Sequence, residues 1–216
     1  MYESRVQASE ILYQECINQN IKIKTFISAS AMGYYGFNQT GIKKETDNPG
    51  NDWMSNLCVD WEKKADKFKL IGARIIKLRF SLLLDKKSGL LKKTNLSFMF
   101  GVGINFSSGS QKLPWIHIND ASKFILHTLS KESVQGVFNV ASPHEISYYE
   151  FIKTIQRIKY TNSFFIKLPK ILINLIFPQK KVLLLNNISL STEKMKKSEF
   201  KWDFPTIEQA IEKELM

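Results

Sequence analysis

The chain has little sulfur and few imidazole groups. It contains two cysteines, Cys16 and Cys58, and three histidines among 216 residues. Two cysteines cannot form the disulfide framework of a small secreted domain. Two of the histidines have no cysteine or carboxylate at the spacing of metal ligands, so no metal site is predicted. These shortages favour a folded protein of a reducing compartment.

A long uninterrupted apolar run is also missing. The longest apolar stretch, residues 164–177, is broken by Lys167, Pro169, Lys170 and Asn174. A membrane-spanning helix needs about 20 consecutive apolar residues, so this stretch is too short and too polar. Nothing at the N-terminus has the pattern of a secretory signal peptide. We therefore expect a cytoplasmic protein with no membrane partner.

Arginine is scarce although the chain is strongly basic. The formal net charge is +11, yet there are 27 lysines and only four arginines. Proteins that read bases and phosphates specifically rely on the planar, bidentate arginine side chain. The lysine pairs are scattered along the chain, which indicates a solvated surface more than a nucleic-acid-binding face. A nucleic-acid partner stays open as an alternative that is not favoured.

The ten glycines include no G-x-G-x-x-G run. Such a run lets backbone amides reach a pyrophosphate at the start of a dinucleotide-binding fold. Gly101 and Gly103 have the right spacing, but Phe106 stands where the third glycine would be. The sequence therefore does not encode a Gly-rich phosphate-binding loop.

What is present fits a globular α/β chain of one domain, or one domain with a small appendage. Hydrophobic residues make up 44% and charged residues 24%, an ordinary balance for a folded domain. Apolar residues at helical spacing predict helices over 3–17 and from about Trp53 to Ile71. Between and after them, residues 23–27 and Ala73–Leu78 predict strands, the second of the buried, parallel type. Strand, helix and strand form a β-α-β unit.

The second half continues in the same manner. Residues 85–114 are predicted to be rich in loops, with strands at 115–118 and at Gly136–Val140. Asp120 stands where the N-cap of a helix belongs. Capping boxes that begin at Ser147 and Thr206 predict two further helices.

A series of short motifs runs through nearly the whole chain in a fixed order. They are Ser4-Arg5, Ser30-Ala31-x-Gly33-x-Tyr35-Gly36, Cys58-x-x-Trp61-Glu62, Arg79 before a Leu-rich strand end, Gly109-Ser110-Gln111, Trp115-Ile116-His117-Ile118-Asn119-Asp120, Gly136-x-x-Asn139, Ser142-Pro143 and Phe200-Lys201-Trp202-Asp203-Phe204-Pro205. On these motifs the chain resembles the atypical extended short-chain dehydrogenase/reductase proteins. Within them it is similar to the sugar-nucleotide-epimerase-like oxidoreductases of the NAD-dependent epimerase/dehydratase type.

The resemblance implies a fold class and a division of the chain. The fold is expected to be α/β, a partial Rossmann-like parallel sheet whose first strands are missing, with a small, mainly helical C-terminal region. Residues 1–160 would be the C-terminal part of the NAD(P)-binding domain with its substrate loops, and residues 161–216 the family's small C-terminal domain. A full-length relative would have roughly half a Rossmann fold ahead of Met1. We therefore expect a truncated chain: a fragment, a gene without its 5′ part, or an internal start.

The resemblance also implies catalytic residues. Members of the superfamily typically use Ser, Tyr and Lys, and the lysine, four residues after the tyrosine, lowers the tyrosine pKa. In this sequence the corresponding helix has Met54 and Cys58, which cannot provide that proton relay. Ser30 keeps its place as a hydrogen-bond donor to a substrate oxygen. The predicted catalytic residues are Ser30, Tyr35 and Cys58.

Binding residues are implied in the same way. The cofactor is expected to be NAD or NADP, and a small molecule is the expected substrate. The predicted cofactor contacts are Arg5, Ser28, Ser30, Cys58, Arg79 and Ser81. The predicted substrate contacts are Tyr34, Gly109, Gln111 and Trp115.

Several of these residues have an alternative role that the sequence leaves open. Ser30 could instead satisfy backbone groups of its loop. Cys58 lies on an apolar helix face, which favours an inert core cysteine over a reactive thiol. Arg79 could bind an anionic substrate or a cofactor phosphate, or it could form a salt bridge with Glu45 or Asp85.

Three functions remain after these observations. The favoured one is an NAD(P)-dependent oxidoreductase or epimerase-like protein that acts on a small hydroxylated or nucleotide-linked substrate. The second is a non-catalytic remnant or interaction module of the same family, because the pyrophosphate loop and the Tyr/Lys pair are absent. An open sheet edge would then favour a homo-oligomer. The third is a basic nucleic-acid-binding protein.

Overall fold

Strands and helices alternate along the residues that the computed structural model describes, which are 2–37, 39–169, 171 and 187–216. The strands of this part are β1 (Thr25–Ala31), β2 (Thr40–Lys43), β3 (Arg74–Phe80), β4 (Leu82–Leu84), β5 (Val102–Phe106), β6 (Trp115–His117), β7 (Gly136–Val140), β8 (Phe164–Leu168) and β9 (Asn187–Leu190). Its α-helices are α1 (Ala8–Asn18), α2 (Trp53–Asp66), α3 (Gly89–Met99), α4 (Ile118–Ser130), α5 (Tyr148–Lys159), α6 (Glu193–Lys197) and α7 (Ile207–Leu215). Short helical turns at Glu3–Gln7, Met32–Tyr35 and Lys67–Ile71 adjoin three of these elements.

The named strands pair in parallel throughout. The central sheet has the order β1-β3-β7, and three two-stranded pairs join β2 to β9, β4 to β6 and β5 to β8. Parallel neighbours need a long crossover connection, which α2 supplies between β1 and β3. The predicted α/β fold with a parallel sheet and a β-α-β unit is therefore confirmed.

The two faces of the central sheet differ in polarity. Ile76 and Leu78 of β3 are fully buried with Phe124 of α4 and Phe138 of β7, so this face is an apolar core. Fully burying one such side chain contributes about 1.5–3 kcal/mol. On the opposite face, under α2, β3 places Lys77 and Arg79. A charged layer therefore lies between α2 and the sheet.

Two predicted helix starts are confirmed and one is wrong. Capping boxes begin α5 at Ser147 and α7 at Thr206. The cap of α4, in contrast, is His117, whose Nδ1 accepts from the backbone N–H of Asn119 at 3.2 Å. Asp120 is fully buried in the first turn, and its carboxylate accepts the backbone N–H groups of residues 203 and 204. It joins two parts of the chain instead of capping a helix.

The prediction of a loop-rich stretch at 85–114 is wrong, because α3 and β5 lie there. Its glycines lie mostly at the ends of these elements. Gly89 begins α3 with φ of +63°, and Gly101 follows the helix with φ of +77°. Gly103 lies inside β5, where a Cβ would come within 2.6 Å of the Phe165 ring. Residues 37–52, predicted to be a polar loop, likewise contain β2.

Residues beyond 160 supply β8, β9, α6 and α7. Residues 172–186, which include the second half of the longest apolar stretch, lie outside the described part. The predicted domain boundary at 160/161 stays a prediction. Within the described part, no helix has both the length and the apolar character that crossing a membrane requires.

Candidate functional site

Three polar side chains form a row across the carboxyl ends of the central strands. The register places Ser30 of β1 beside Arg79 of β3, and Arg79 beside Asn139 of β7. All three residues are buried. Residues in register on parallel strands share a face, and ligands of open α/β sheets bind at the carboxyl ends of the strands. The row therefore marks a candidate ligand site.

Glu62 of α2 connects this row to the helix above it. Its Oε1 accepts the Ser30 hydroxyl and the Arg79 Nε–H, both at 2.8 Å. Its Oε2 accepts from Nη2 of Arg79 at 3.0 Å. The result is a bidentate, charge-assisted ion pair in a buried setting. Of the alternatives for Arg79, a salt bridge forms, but with Glu62 instead of Glu45 or Asp85.

Tyr35 extends the network toward β7. Its hydroxyl donates to Oδ1 of Asn139 at 2.6 Å and accepts from Nη1 of Arg79 at 3.1 Å. Burial raises the pKa of Tyr35 to about 12, although Arg79 and Asn139 both act in the opposite direction. The ring of Tyr34 lies over the Arg79 guanidinium, 3.3 Å from its central carbon. Both tyrosines therefore hold the arginine in place.

Glu45 closes the network on its outer side. Its carboxylate accepts the backbone N–H of Asn139 at 3.0 Å, and its backbone oxygen accepts from Nη1 of Arg79 at 3.3 Å. Arg79 thus donates to Glu62, Tyr35 and Glu45 at the same time. Burial alone would lower the pKa of Arg79, but the Glu62 carboxylate outweighs it and leaves that pKa above the ordinary arginine value.

Cys58 lies one helical turn before Glu62 and faces the same loop. Burial raises the pKa of its thiol to about 11, and the nearby Ala31 backbone and Ser30 hydroxyl offset this only in part. Met54, a further turn back, packs on Gly33, where a Cβ would come within 2.4 Å of its Cγ. The two residues at the positions that the resemblance assigns to Tyr and Lys therefore face the Ser30 loop, but neither ionises near neutral pH.

The other predicted cofactor contacts have local partners. The Ser28 hydroxyl donates to the Ala29 carbonyl at 3.1 Å, and the Ser81 hydroxyl donates to the Val140 carbonyl at 2.8 Å. The Arg5 guanidinium lies 5.5 Å from the centre of the Trp61 ring. Arg5 thus contacts Trp61 of α2. In this structure Ser28 and Ser81 therefore bind backbone carbonyl groups, and Arg5 packs on an aromatic ring.

The predicted substrate contacts at 109–115 form a second group. Gly109 has φ of +75°, and its carbonyl accepts the backbone N–H of Tyr149 at 2.9 Å. The Gln111 side chain donates to the Phe106 carbonyl at 3.2 Å. Trp115 is buried in a core cluster, yet its Nε1–H has no hydrogen-bond partner in the described part of the chain. It is an unsatisfied donor.

The two groups are neighbours. Trp115 lines a cavity together with Ala141, Ser142 and Leu190. Ala141 and Leu190 also belong to the apolar cluster around Tyr35. Ala141 and Leu190 therefore connect Trp115, a predicted substrate contact, with Tyr35, a predicted catalytic residue. No group of His, Cys, Asp and Glu residues suited to a metal ion occurs among the described residues.

Glu62 and Asn139 are the site residues that sequence reasoning missed. In the sequence Glu62 stands out only as a member of a motif, although it lies four residues after Cys58 and therefore on the same buried face. A buried arginine at a strand end also requires a counterion. Asn139 likewise occurs only as part of a motif, and its role depends on the register between β3 and β7.

Comparison with known proteins now defines the class and the family. No family model matches the chain. An epimerase family protein of Staphylococcus saprophyticus is 30% identical over 211 residues, which are 97% of this chain and 70% of that protein. Another, of Staphylococcus haemolyticus, is 35% identical over 142 residues, 65% of this chain and 47% of that protein.

Solved structures agree with the fold. A human epimerase family protein, solved with NADPH, has a TM-score of 0.86 at 24% identity, covering 99% of this chain and 72% of that one. A nucleoside-diphosphate sugar epimerase of Corynebacterium glutamicum has a TM-score of 0.77 at 22% identity, covering 99% and 42%. The fold is thus that of a Rossmann-like α/β protein, and the buried row at the strand ends is its candidate ligand site. The chain belongs to the epimerase family.

Proposed function

We propose that this chain binds NAD or NADP at the carboxyl ends of β1 and β3, and that it acts as an epimerase-like oxidoreductase on a small hydroxylated or nucleotide-linked substrate. The observation that carries the proposal is the buried row of Ser30, Arg79 and Asn139 at the ligand-binding edge of a parallel sheet. Membership of the epimerase family and the similarity to a human protein solved with NADPH support it.

The residues at this edge suit the nicotinamide half of such a cofactor. Ala31 and Gly33 offer little steric bulk. The Ser30 hydroxyl donates to Glu62, so its oxygen is left to accept from a carboxamide or a ribose hydroxyl, and Cys58 adds a neutral thiol. Arg79 is a poorer ligand for the pyrophosphate, because its donors already serve Glu62, Tyr35 and Glu45. When bound, the cofactor supplies the hydride donor or acceptor. Ser30 and Cys58 would hold its nicotinamide end.

The protein's own groups hold protons more readily than they transfer them. The pKa of Tyr35 is raised to about 12 and that of Cys58 to about 11, so both stay protonated near neutral pH. Efficient general acid–base catalysis requires a pKa near the working pH. We therefore expect any turnover to be slow and to change little between about pH 6 and 9, because neither group titrates in that range.

Calorimetric titration with NADPH and NADH tests the proposal. Ser30→Ala removes the hydroxyl at the site, and Ser122→Ala removes an exposed hydroxyl on α4 as a matched control. We expect saturable binding that weakens about tenfold or more in Ser30→Ala, as loss of one strong hydrogen bond implies. Absence of binding to a chain that is folded by circular dichroism would contradict the proposal.

A second function, a non-catalytic interaction module, is favoured by two observations. Met54 and Cys58 replace the proton-relay pair, and β1 is an edge strand among the described strands, with no charged residue or proline. Such an edge is open to pairing with another chain, including a second copy. Sedimentation equilibrium would support this function if it shows a dimer, and a stable monomer would count against it. For either function, we also propose that residues 161–216 form the small C-terminal domain of the family.

A further inference from the structure

The net positive charge of the chain is confined to two segments. Residues 86–119 and 151–192 together contain 12 basic and no acidic residues. The rest of the chain contains 19 basic and 20 acidic residues and is almost neutral. Lysine pairs occur in both parts, so their scatter along the chain conceals this difference. The whole charge excess belongs to these two segments.

The described residues of the two segments pack together. β5, from the first segment, pairs with β8, from the second, over five residue pairs. Phe98 of α3 stacks on Tyr160 with 5.5 Å between ring centroids. The Tyr160 hydroxyl donates to the Asn95 side chain at 2.7 Å. The described parts of the two segments therefore lie side by side.

The outer face of α3 combines this charge with exposed apolar side chains. Leu91, Thr94 and Phe98 are buried, and they fix which side of the helix faces inward. The opposite face carries five exposed residues, spaced so that they share one side of the helix. They are Lys92, Lys93, Leu96, Met99 and Phe100.

Exposed apolar surface continues from α3 onto β8. The Phe164 backbone N–H donates to the carbonyl of Gly101 at 3.1 Å, which places Phe164 beside the end of α3. Phe100 is 80% exposed, Met99 65% and Phe164 61%. A cluster of large exposed apolar residues at one place marks an interaction surface. Lys92 and Lys93 have no ion-pair partner among the described residues, so their charge is available to a partner.

We propose that this patch, made of Lys92, Lys93, Leu96, Met99, Phe100 and Phe164, docks on the surface of an anionic phospholipid bilayer. The lysines complement the phosphate headgroups, and the apolar side chains enter the boundary between headgroups and acyl chains. This is attachment to a membrane surface, not insertion of a span. It goes beyond the cofactor site, which lies on other elements.

Two other occupants fit the patch less well. A second copy of the chain, docked patch to patch, would bring the exposed Lys92 and Lys93 of both copies together, and like charges repel. A duplex nucleic acid would complement the lysines but would leave the leucine, methionine and phenylalanine side chains without an apolar partner. An anionic bilayer provides both kinds of contact. The charge and the apolar exposure at the same place thus favour the bilayer.

Vesicle flotation tests the proposal on the full chain. We expect flotation with vesicles that contain phosphatidylglycerol and none with phosphatidylcholine alone, and we expect added salt to weaken the binding. A lysine near an anionic surface strengthens binding about fivefold, so Lys92→Gln/Lys93→Gln should weaken it about 25-fold. Lys196→Gln/Lys197→Gln on α6 is the matched control, because these lysines are also adjacent and exposed. It should bind as the unaltered chain does.

A second variant separates the apolar contribution from the charge. Phe100→Ser/Phe164→Ser keeps the lysines and leaves the buried Phe98 in place, so the core should be retained, as circular dichroism would check. Because only the salt-screened attraction of the lysines remains, we expect this variant to stop binding at a lower salt concentration than the unaltered chain. Equal binding by the two lysine variants would overturn the proposal, as would no flotation by the folded chain. Tight binding of duplex DNA, lost in Lys92→Gln/Lys93→Gln and without vesicle binding, would also overturn it.

Discussion

Replacing Glu62 by glutamine removes one charge of a buried ion pair and leaves the other in place. Glu62 is 5% exposed and Arg79 2%, and three hydrogen bonds of 2.8–3.0 Å converge on the carboxylate. The amide of Glu62→Gln has nearly the same shape but can accept with only one of its two polar atoms. The variant therefore leaves the Arg79 guanidinium buried with an incomplete set of acceptors.

The expected cost follows from measurements on other buried ion pairs. Removing one partner typically destabilises a protein by about 3–5 kcal/mol, because an uncompensated charge stays buried. With a urea m-value of about 3 kcal/mol/M, the midpoint of unfolding should fall by about 1–1.7 M. Urea titration followed by circular dichroism measures this shift. Glu145→Gln is the control, because its ion pair with Lys112 is exposed and should contribute at most about 1 kcal/mol.

A double variant shows whether the charge itself is responsible. Glu62→Gln/Arg79→Met removes both charges, and replacement of a whole buried ion pair by neutral or apolar groups is often neutral or stabilising. We expect the double variant to be more stable than Glu62→Gln alone. If Glu62→Gln unfolds at the same urea concentration as the Glu145→Gln control, the reasoning is refuted. It is also refuted if the costs of Glu62→Gln and of the single variant Arg79→Met simply add in the double variant.

Three further predictions concern other parts of the chain. At pH 8 a thiol with a pKa of about 11 is roughly one-thousandth ionised, so Cys58 in the folded chain should react with iodoacetamide far more slowly than in urea, as mass spectrometry would show. Gly33→Ala should cost about 1–3 kcal/mol through overpacking against Met54, and Met54→Ala should restore part of that in thermal unfolding. The pKa of Glu10 is lowered to about 2, first by Lys64, so its contribution to stability is present above pH 4.5 and is lost as the pH falls toward 2. Glu10→Gln should accordingly make acid unfolding less steep in that window, and an unchanged acid limb would contradict this.

Local sequence patterns predict much of the fold. The β-α-β unit follows from two apolar strands with an amphipathic helix between them, and two capping boxes locate α5 and α7. These signals depend on residues within a few positions of each other. The stretch at 85–114 shows where such local patterns fail. Glycines are typical of loops, but here Gly89 and Gly101 lie at the two ends of α3 and Gly103 lies inside β5.

The candidate site depends on contacts between distant residues, which the hydrophobic periodicity of the sequence cannot predict. Ser30 and Glu62 are 32 residues apart, and Tyr35 and Asn139 are 104 residues apart. A buried arginine predicts a counterion, but only the packing of α2 on β3 selects Glu62 over Glu45 or Asp85. Asp120 shows the same limit, because a carboxylate in a first helical turn resembles a cap whether or not a distant segment occupies it.

The position of α7 at the end of the described chain affects folding during synthesis. α7 supplies Ile207, Ile211 and Leu215 to the core cluster around Trp115. Its Glu214 also meets the buried His117, 97 residues earlier, at 3.0 Å. A nascent chain can assemble β1, α2 and β3 early, but Trp115 and its neighbours stay uncovered until α7 has been made. During that interval the ribosome-bound chain exposes apolar side chains of an incomplete core, and chaperones recognise such surfaces.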